Sequence, residues 1–318
     1  MDLQTKYGCL SGCIDPEYYE DGSIKNCGLT ERNELSLGCE TLVPQYGEAE
    51  VRKKQIKSIG FYQSGSVQRI ALEKQTGVLT PIGEFPAELL TFYEDGSIKR
   101  IFPLNGKISA YWSETDEGKL AVPMRFEFDF GNFSAKIISV HFYPGGEIQS
   151  ITLFLGEMIT LRTPVGKVSV RTGFSVYKSG VLKSVEPAFP VLVATRIGKL
   201  TAYNCGAIGI HADENSLKFS EAGEITGVTT STEKIIVQSE GIPMTSVAPI
   251  IKPSPLDENE FITIPVTVRL EEGTVTLTGD KAYSFPLETS AFTVIQSQNT
   301  VCTSCSGCSI CGQCGMPH

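Results

Sequence analysis

The chain is expected to be all-β: an elongated antiparallel repeat sheet or β-solenoid-like body followed by a cysteine-rich C-terminal tail. Three observations predict this class. A short aromatic and glycine phrase returns six times, apolar and polar residues alternate between its copies, and windows of helical periodicity are few. The alternation is plain in Lys167-Val-Ser-Val-Arg and Lys234-Ile-Ile-Val-Gln-Ser. With 318 residues, 41% of them hydrophobic, the chain holds enough apolar material for one large β domain or two ordinary ones.

Four segments follow in order. Residues 1–45 form a cysteine-containing N-terminal segment with the first repeat, 46–245 the hairpin repeat body, 246–297 a C-terminal β segment and 298–318 the tail. The six copies read Tyr18-Tyr-Glu-Asp-Gly22-Ser-Ile24, Phe61-Tyr-Gln-Ser-Gly65-Ser-Val67, Phe92-Tyr-Glu-Asp-Gly96-Ser-Ile98, Phe142-Tyr-Pro-Gly-Gly146-Glu-Ile148, Val176-Tyr-Lys-Ser-Gly180-Val-Leu182 and Phe219-Ser-Glu-Ala-Gly223-Glu-Ile225. Asp-Gly or Ser-Gly between apolar flanks signals a hairpin, because glycine accepts the positive φ of a tight primed turn. A second phrase, Thr80-Pro-Ile-Gly83, Thr163-Pro-Val-Gly166 and Thr195-Arg-Ile-Gly198, marks the turn at the other end of the strands. Phe261 to Leu270, then Glu-Glu-Gly, then Thr274-Val-Thr-Leu-Thr, reads as a further hairpin without the aromatic phrase, after a boundary in the proline-rich Ala248-Pro-Ile-Ile-Lys-Pro-Ser-Pro-Leu.

The stretch Phe92-Tyr-Glu-Asp-Gly-Ser-Ile-Lys-Arg-Ile-Phe-Pro-Leu-Asn-Gly106-Lys-Ile resembles MORN-type repeats of the bacterial variety. In those repeats an aromatic-x-x-Gly turn is followed about ten residues later by an Asn-Gly-Lys turn. The resemblance spans the glycine phrases of roughly residues 18 to 228 and leaves the cysteine-rich ends outside. It implies a sheet of hairpins acting as an interaction surface or scaffold, and it brings no catalytic residues across.

Nine of the ten cysteines lie at the two ends. Cys302, Cys305, Cys308, Cys311 and Cys314 stand at an unbroken three-residue spacing among small and polar residues, with Gly307, Gly312 and Gly315 loosening the backbone. Each Cys-x-x-Cys step turns the chain back on one centre, so this run is expected to hold a [4Fe–4S] cluster, with zinc or another thiolate metal as the alternative. Bacterial ferredoxin runs resemble the first three cysteines but close with a longer gap and Cys-Pro, which this tail lacks. Cys9, Cys13, Cys27 and Cys39 make a candidate second site, tying the N-terminal segment to the first repeat. Cys205 reads as a small core residue.

A net charge of −9 disfavours nucleic acid and anionic lipid as partners. No apolar run is long enough for a membrane span and no export signal is legible, so the expected compartment is the cytoplasm, where thiols stay reduced. Of the histidines His141, His211 and His318, only the last adjoins the cysteine tail. No Gly-x-Ser-x-Gly elbow, Walker loop, Gly-x-Gly-x-x-Gly or His-Glu-x-x-His occurs. The acidic pairs Glu20-Asp21, Glu94-Asp95 and Glu271-Glu272 fall in turns, where solvated carboxylates are ordinary. Tyr62, Tyr93, Tyr143 and Tyr177 are expected to face outward as a docking strip. The function these readings describe is a non-catalytic scaffold and electron-transfer subunit that carries its cluster within a redox complex or homo-oligomer. A structural protein with a zinc-binding or oligomer-sealing tail, and a metal storage or delivery protein, are the alternatives.

Overall fold

The computed structural model describes residues 1–38, 40–53, 57–207, 212–254 and 261–297. The tail, Cys39, His211 and His318 lie outside them. The described residues are nearly all β, with 29 strands and a single short helix, and they divide into two compact units.

The first unit opens with β1 (Leu3–Thr5), β2 (Gly8–Leu10), β3 (Cys13–Tyr18), β4 (Ile24–Leu29), β5 (Leu35–Leu37), β6 (Glu40–Leu42), β7 (Ile59–Phe61) and β8 (Val67–Thr80). It continues with β9 (Gly83–Phe92), β10 (Ile98–Phe102), α1 (Glu114–Leu120), β11 (Met124–Phe128), β12 (Gly131–Ala135), β13 (Ile137–Phe142) and β14 (Ile148–Leu153). Its main sheet runs β14-β13-β10-β9-β8-β7-β4-β3, and every one of these pairings is antiparallel.

The second unit begins with β15 (Ile159–Thr163), β16 (Gly166–Val176), β17 (Leu182–Pro187), β18 (Val191–Thr195), β19 (Gly198–Ala202), β20 (Leu217–Phe219) and β21 (Ile225–Thr230). It ends with β22 (Glu233–Ser239), β23 (Ile242–Val247), β24 (Ile250–Pro253), β25 (Phe261–Ile264), β26 (Val266–Glu271), β27 (Thr274–Thr278), β28 (Ala282–Pro286) and β29 (Ser290–Gln296). Its main sheet runs β28-β27-β26-β21-β20-β17-β16, with β15 on β16, and β29 joins β22 and β23 in a separate three-stranded sheet.

Each unit is organised by one row of aliphatic side chains. In the first, Cys27, Ile59, Ile70, Leu90, Ile101, Val140 and Ile151 are successive cross-strand partners, and all are 0% exposed. Val185, Leu217, Val228, Val268 and Leu277 repeat the arrangement in the second. Burying each aliphatic contributes about 1.5–3 kcal/mol, so these rows hold the sheets together. Adjacent strand positions point to opposite faces. The neighbouring row of the first unit is accordingly polar, comprising Arg69, Thr91, Arg100, His141 and Ser150.

All six aromatic phrases form hairpin turns, but not the two-residue primed turns their Asp-Gly and Ser-Gly pairs suggest. In the third copy the Gly96 amide donates to Tyr93 O at 3.0 Å and the Tyr93 amide to Ser97 O at 2.8 Å. Only the glycine has positive φ, between +80° and +89° in all six copies. The loop is therefore a three-residue turn closed by a glycine bulge, and the pairing shifts register beside it. The Asp or Ser before the glycine needs no unusual backbone.

The second phrase does form two-residue loops. In each, the threonine hydroxyl donates to the glycine carbonyl at 2.7–2.8 Å and accepts the amide of the third residue. Thr5-Lys-Tyr-Gly8 is a fourth member with the same bonds, absent from the sequence reading. The helix is capped by Ser113, whose side chain accepts the Asp116 amide while Asp116 accepts the Ser113 amide.

Candidate functional site

The expected metal ligands lie partly outside the described residues. The tail run Cys302 to Cys314 lies outside the described residues, but the strand that leads into it does not. β29 pairs with β22 over seven consecutive positions, from Glu233↔Gln296 to Ser239↔Ser290, and the Ser297 amide donates to Thr232 O at 2.7 Å. The chain is therefore fixed to within five residues of Cys302.

Of the front cysteines, Cys13 and Cys27 meet across β3 and β4 with their sulfurs 3.8 Å apart. Cys9 is exposed and Cys39 lies outside the described residues. Cys13 and Cys27 are 2% and 0% exposed, and Cys13 Sγ donates to Leu10 O at 3.5 Å. Burial raises both thiol pKa values, that of Cys27 to about 12. Cys205 is buried, as expected of a core residue. Among the described residues no group of three or more His, Cys, Asp or Glu side chains is arranged to hold a metal ion.

His141 is packed inside the polar row, its Nδ1 2.9 Å from Arg100 Nη2 and its Nε2 3.5 Å from Tyr93 Oη. The turn carboxylates serve their own loops. Asp21 and Asp95 each accept the amide and hydroxyl of the serine two residues on, and these bonds, with Gln63 on Asp21, hold Asp21 down at about 2.

The tyrosines depart from the expected docking strip. Tyr19 Oη donates to Phe61 O at 2.9 Å, Tyr62 Oη to Phe92 O at 2.8 Å, Tyr93 Oη to Phe142 O at 2.8 Å and Tyr143 Oη to Val176 O at 3.0 Å. In every case the acceptor is the residue just before the next copy's tyrosine. Each ring is half-buried, and each hydroxyl ties one repeat to the next. An aromatic pair in the sequence shows which residue turns inward, but not that the outward one reaches a backbone carbonyl some 30 to 50 residues away.

Two polar clusters had no sequence signal. Arg52 bridges Glu88 and Glu117 with four contacts of 2.7–3.0 Å, and both carboxylates are 5% exposed. Glu117 also accepts Trp112 Nε1 and the Gly106 amide, and Glu88 the Asn105 amide. The cluster thus fastens the excursion of residues 103–120 to β9. In the second unit the buried Glu186 carboxylate accepts the Ser216 amide and hydroxyl, and burial raises its pKa. It lines a polar pocket of about 300 Å³ with Asn215 and Thr172. Thr172 has φ +64°, a costly value for a β-branched residue.

The hairpin tips bring the two phrases together. The Lys6 stem of Thr5-Lys-Tyr-Gly8 lies over Gly65, and Pro81 of Thr80-Pro-Ile-Gly83 over Gly146. In the second unit Pro164 lies over Gly223 in the same way. Each of these three tips skips one turn and rests on the next but one, whereas Arg196 of the fourth, Thr195-Arg-Ile-Gly198, reaches Glu224 of the turn directly after it at 3.5 Å. Around Gly22, Gly96 and Gly180 nothing comes within 4 Å of where a Cβ would stand, so covered and open turns alternate.

No helix among the described residues is long and apolar enough to cross a membrane. Comparison with family models, with curated proteins and with solved structures finds no match to this chain.

Proposed function

We propose that the chain is a non-catalytic β-repeat scaffold whose C-terminal thiols carry a metal centre, an iron–sulfur cluster, within a larger redox assembly in the cytoplasm. The observation that carries this reading is the five-cysteine run beginning six residues after the end of β29 at Gln296. Five thiols at one spacing form a soft donor set, and four of Cys302, Cys305, Cys308, Cys311 and Cys314 would hold a [4Fe–4S] cluster, which supplies one-electron transfer. The body supports the scaffold half of the reading. Its repeat tyrosines hold one repeat to the next, while a turn carboxylate such as Asp95 and the inner thiols are engaged within their own hairpins. The MORN-type resemblance points the same way, toward a surface for protein partners.

The test is to purify the protein without oxygen and measure iron, acid-labile sulfide, zinc and the visible spectrum, beside a variant with Cys305, Cys308 and Cys311 changed to Ser. Matching iron and sulfide, with a visible absorbance lost in the variant, is expected. Zinc alone, or no metal in either sample, overturns the electron-transfer reading.

A further inference from the structure

Beside the open turn at Gly180, within the first unit, lies a pocket of about 570 Å³ lined by Phe85, Phe126, Phe128, Tyr177 and Ser179. The aromatic wall is continuous: Phe126 stands 6.3 Å from Phe85 and 6.5 Å from Phe128, centroid to centroid. Phe85 and Phe126 are buried, Phe128 is half-buried and Ser179 and Gly180 are exposed, so Phe128 is the ring of this wall that is reached from outside.

On two of the three covered turns the chain itself places a proline at this position, and on the third, Gly65, the Lys6 stem. At Gly146 the ring of Pro81 packs so closely that its Cγ lies 2.4 Å from where a Cβ would stand, and at Gly223 the Pro164 Cγ lies 3.4 Å from that point. Both belong to Thr-Pro-x-Gly tips. A proline ring suits the place for a physical reason. It presents a flat apolar face, its φ is already fixed, and it loses little entropy on docking against aromatic rings. The Gly180 turn has the same backbone, φ +85° against +88° at Gly146. Nothing of this chain comes within 4 Å of where its Cβ would stand.

We propose that the pocket beside Gly180 receives a proline-bearing extended segment of a partner protein, seated as Pro81 is seated on Gly146. The proposal rests on the scaffold half of the function above and is independent of the metal.

The test is fluorescence anisotropy of a labelled peptide, Leu-Thr-Pro-Ile-Gly-Glu, titrated with the full chain, beside the same peptide with alanine for proline. Saturable binding is expected, weakened about tenfold, some 1.4 kcal/mol, by the alanine peptide and by Phe128→Ala. Because Phe128→Ala could disturb folding, Ser179→Trp serves as the second variant. It places bulk at the exposed mouth and should abolish binding while the melting temperature holds. Equal binding of the two peptides, no saturation by either, or undiminished binding by Ser179→Trp overturns the proposal. Iron and sulfide measured on the same samples separate that failure from failure of the metal reading.

Discussion

At the scale of single residues, two glycines with the same backbone make a controlled comparison. Gly96 and Gly146 have φ of +89° and +88°, so alanine at either costs about 1–2 kcal/mol of backbone strain. At Gly96 nothing else opposes it, whereas at Gly146 the new Cβ would collide with Pro81. Chemical denaturation should therefore show Gly146→Ala losing clearly more stability than Gly96→Ala, with Pro81→Ala recovering part of the excess. Equal losses would mean that the tip does not press on the turn. Cys27 gives a pH dependence of definite sign. Its folded pKa of about 12 lies above the ordinary 9.0, so between these values the unfolded chain has lost a proton that the folded chain keeps. The stabilisation is whole below pH 9.0 and declines as pH rises toward 12. A Cys27→Val variant should lose stability less steeply over that range.

At the scale of elements, the aromatic phrases were legible because a turn bulge must have glycine, and no other residue tolerates that φ as cheaply. The exact turn was not. Asp-Gly favours a two-residue loop in isolation, whereas the bulged loop is closed by two bonds on the tyrosine, its amide donating to the residue after the glycine and its carbonyl accepting the glycine amide. Thr5-Lys-Tyr-Gly8 and the capping pair Ser113 and Asp116 were readable in principle, since each carries its signal within four residues. What rests on it and what it touches were not readable, for those partners are far apart in sequence. The Arg52 cluster is of that kind, with partners 36 and 65 residues away. Arg52→Met would leave two buried carboxylates unpaired, and a loss of about 3–5 kcal/mol is expected. Hydrogen exchange should rise first over residues 103–120, and uniform loosening of the sheet would contradict the assignment.

At the scale of the whole molecule, stability is distributed along the repeats. Each tyrosine bond contributes about 1 kcal/mol, and Tyr62→Phe, Tyr93→Phe and Tyr143→Phe should each lower unfolding free energy by about that amount. Residues that share no partner add, so the triple variant should lose about 3 kcal/mol in urea titration while keeping its β signature. A loss no larger than one variant's would show that the bonds are not independent. The candidate metal run is a local signal in the sequence, whereas the burial of Cys13 beside Cys27 is not. Cys13 and Cys27 become core neighbours only because β3 and β4 place them on one face.

The two kinds of contact between repeats differ in reach: tyrosine bonds join each copy to its neighbour, whereas hairpin tips join copies two apart. Such a chain counts in pairs. Removing one repeat would leave every tyrosine a carbonyl to reach but would send the tip that spans the cut to a turn on which no tip of this chain rests. A chain shortened or lengthened by one copy across such a contact should therefore lose more stability than one altered by two.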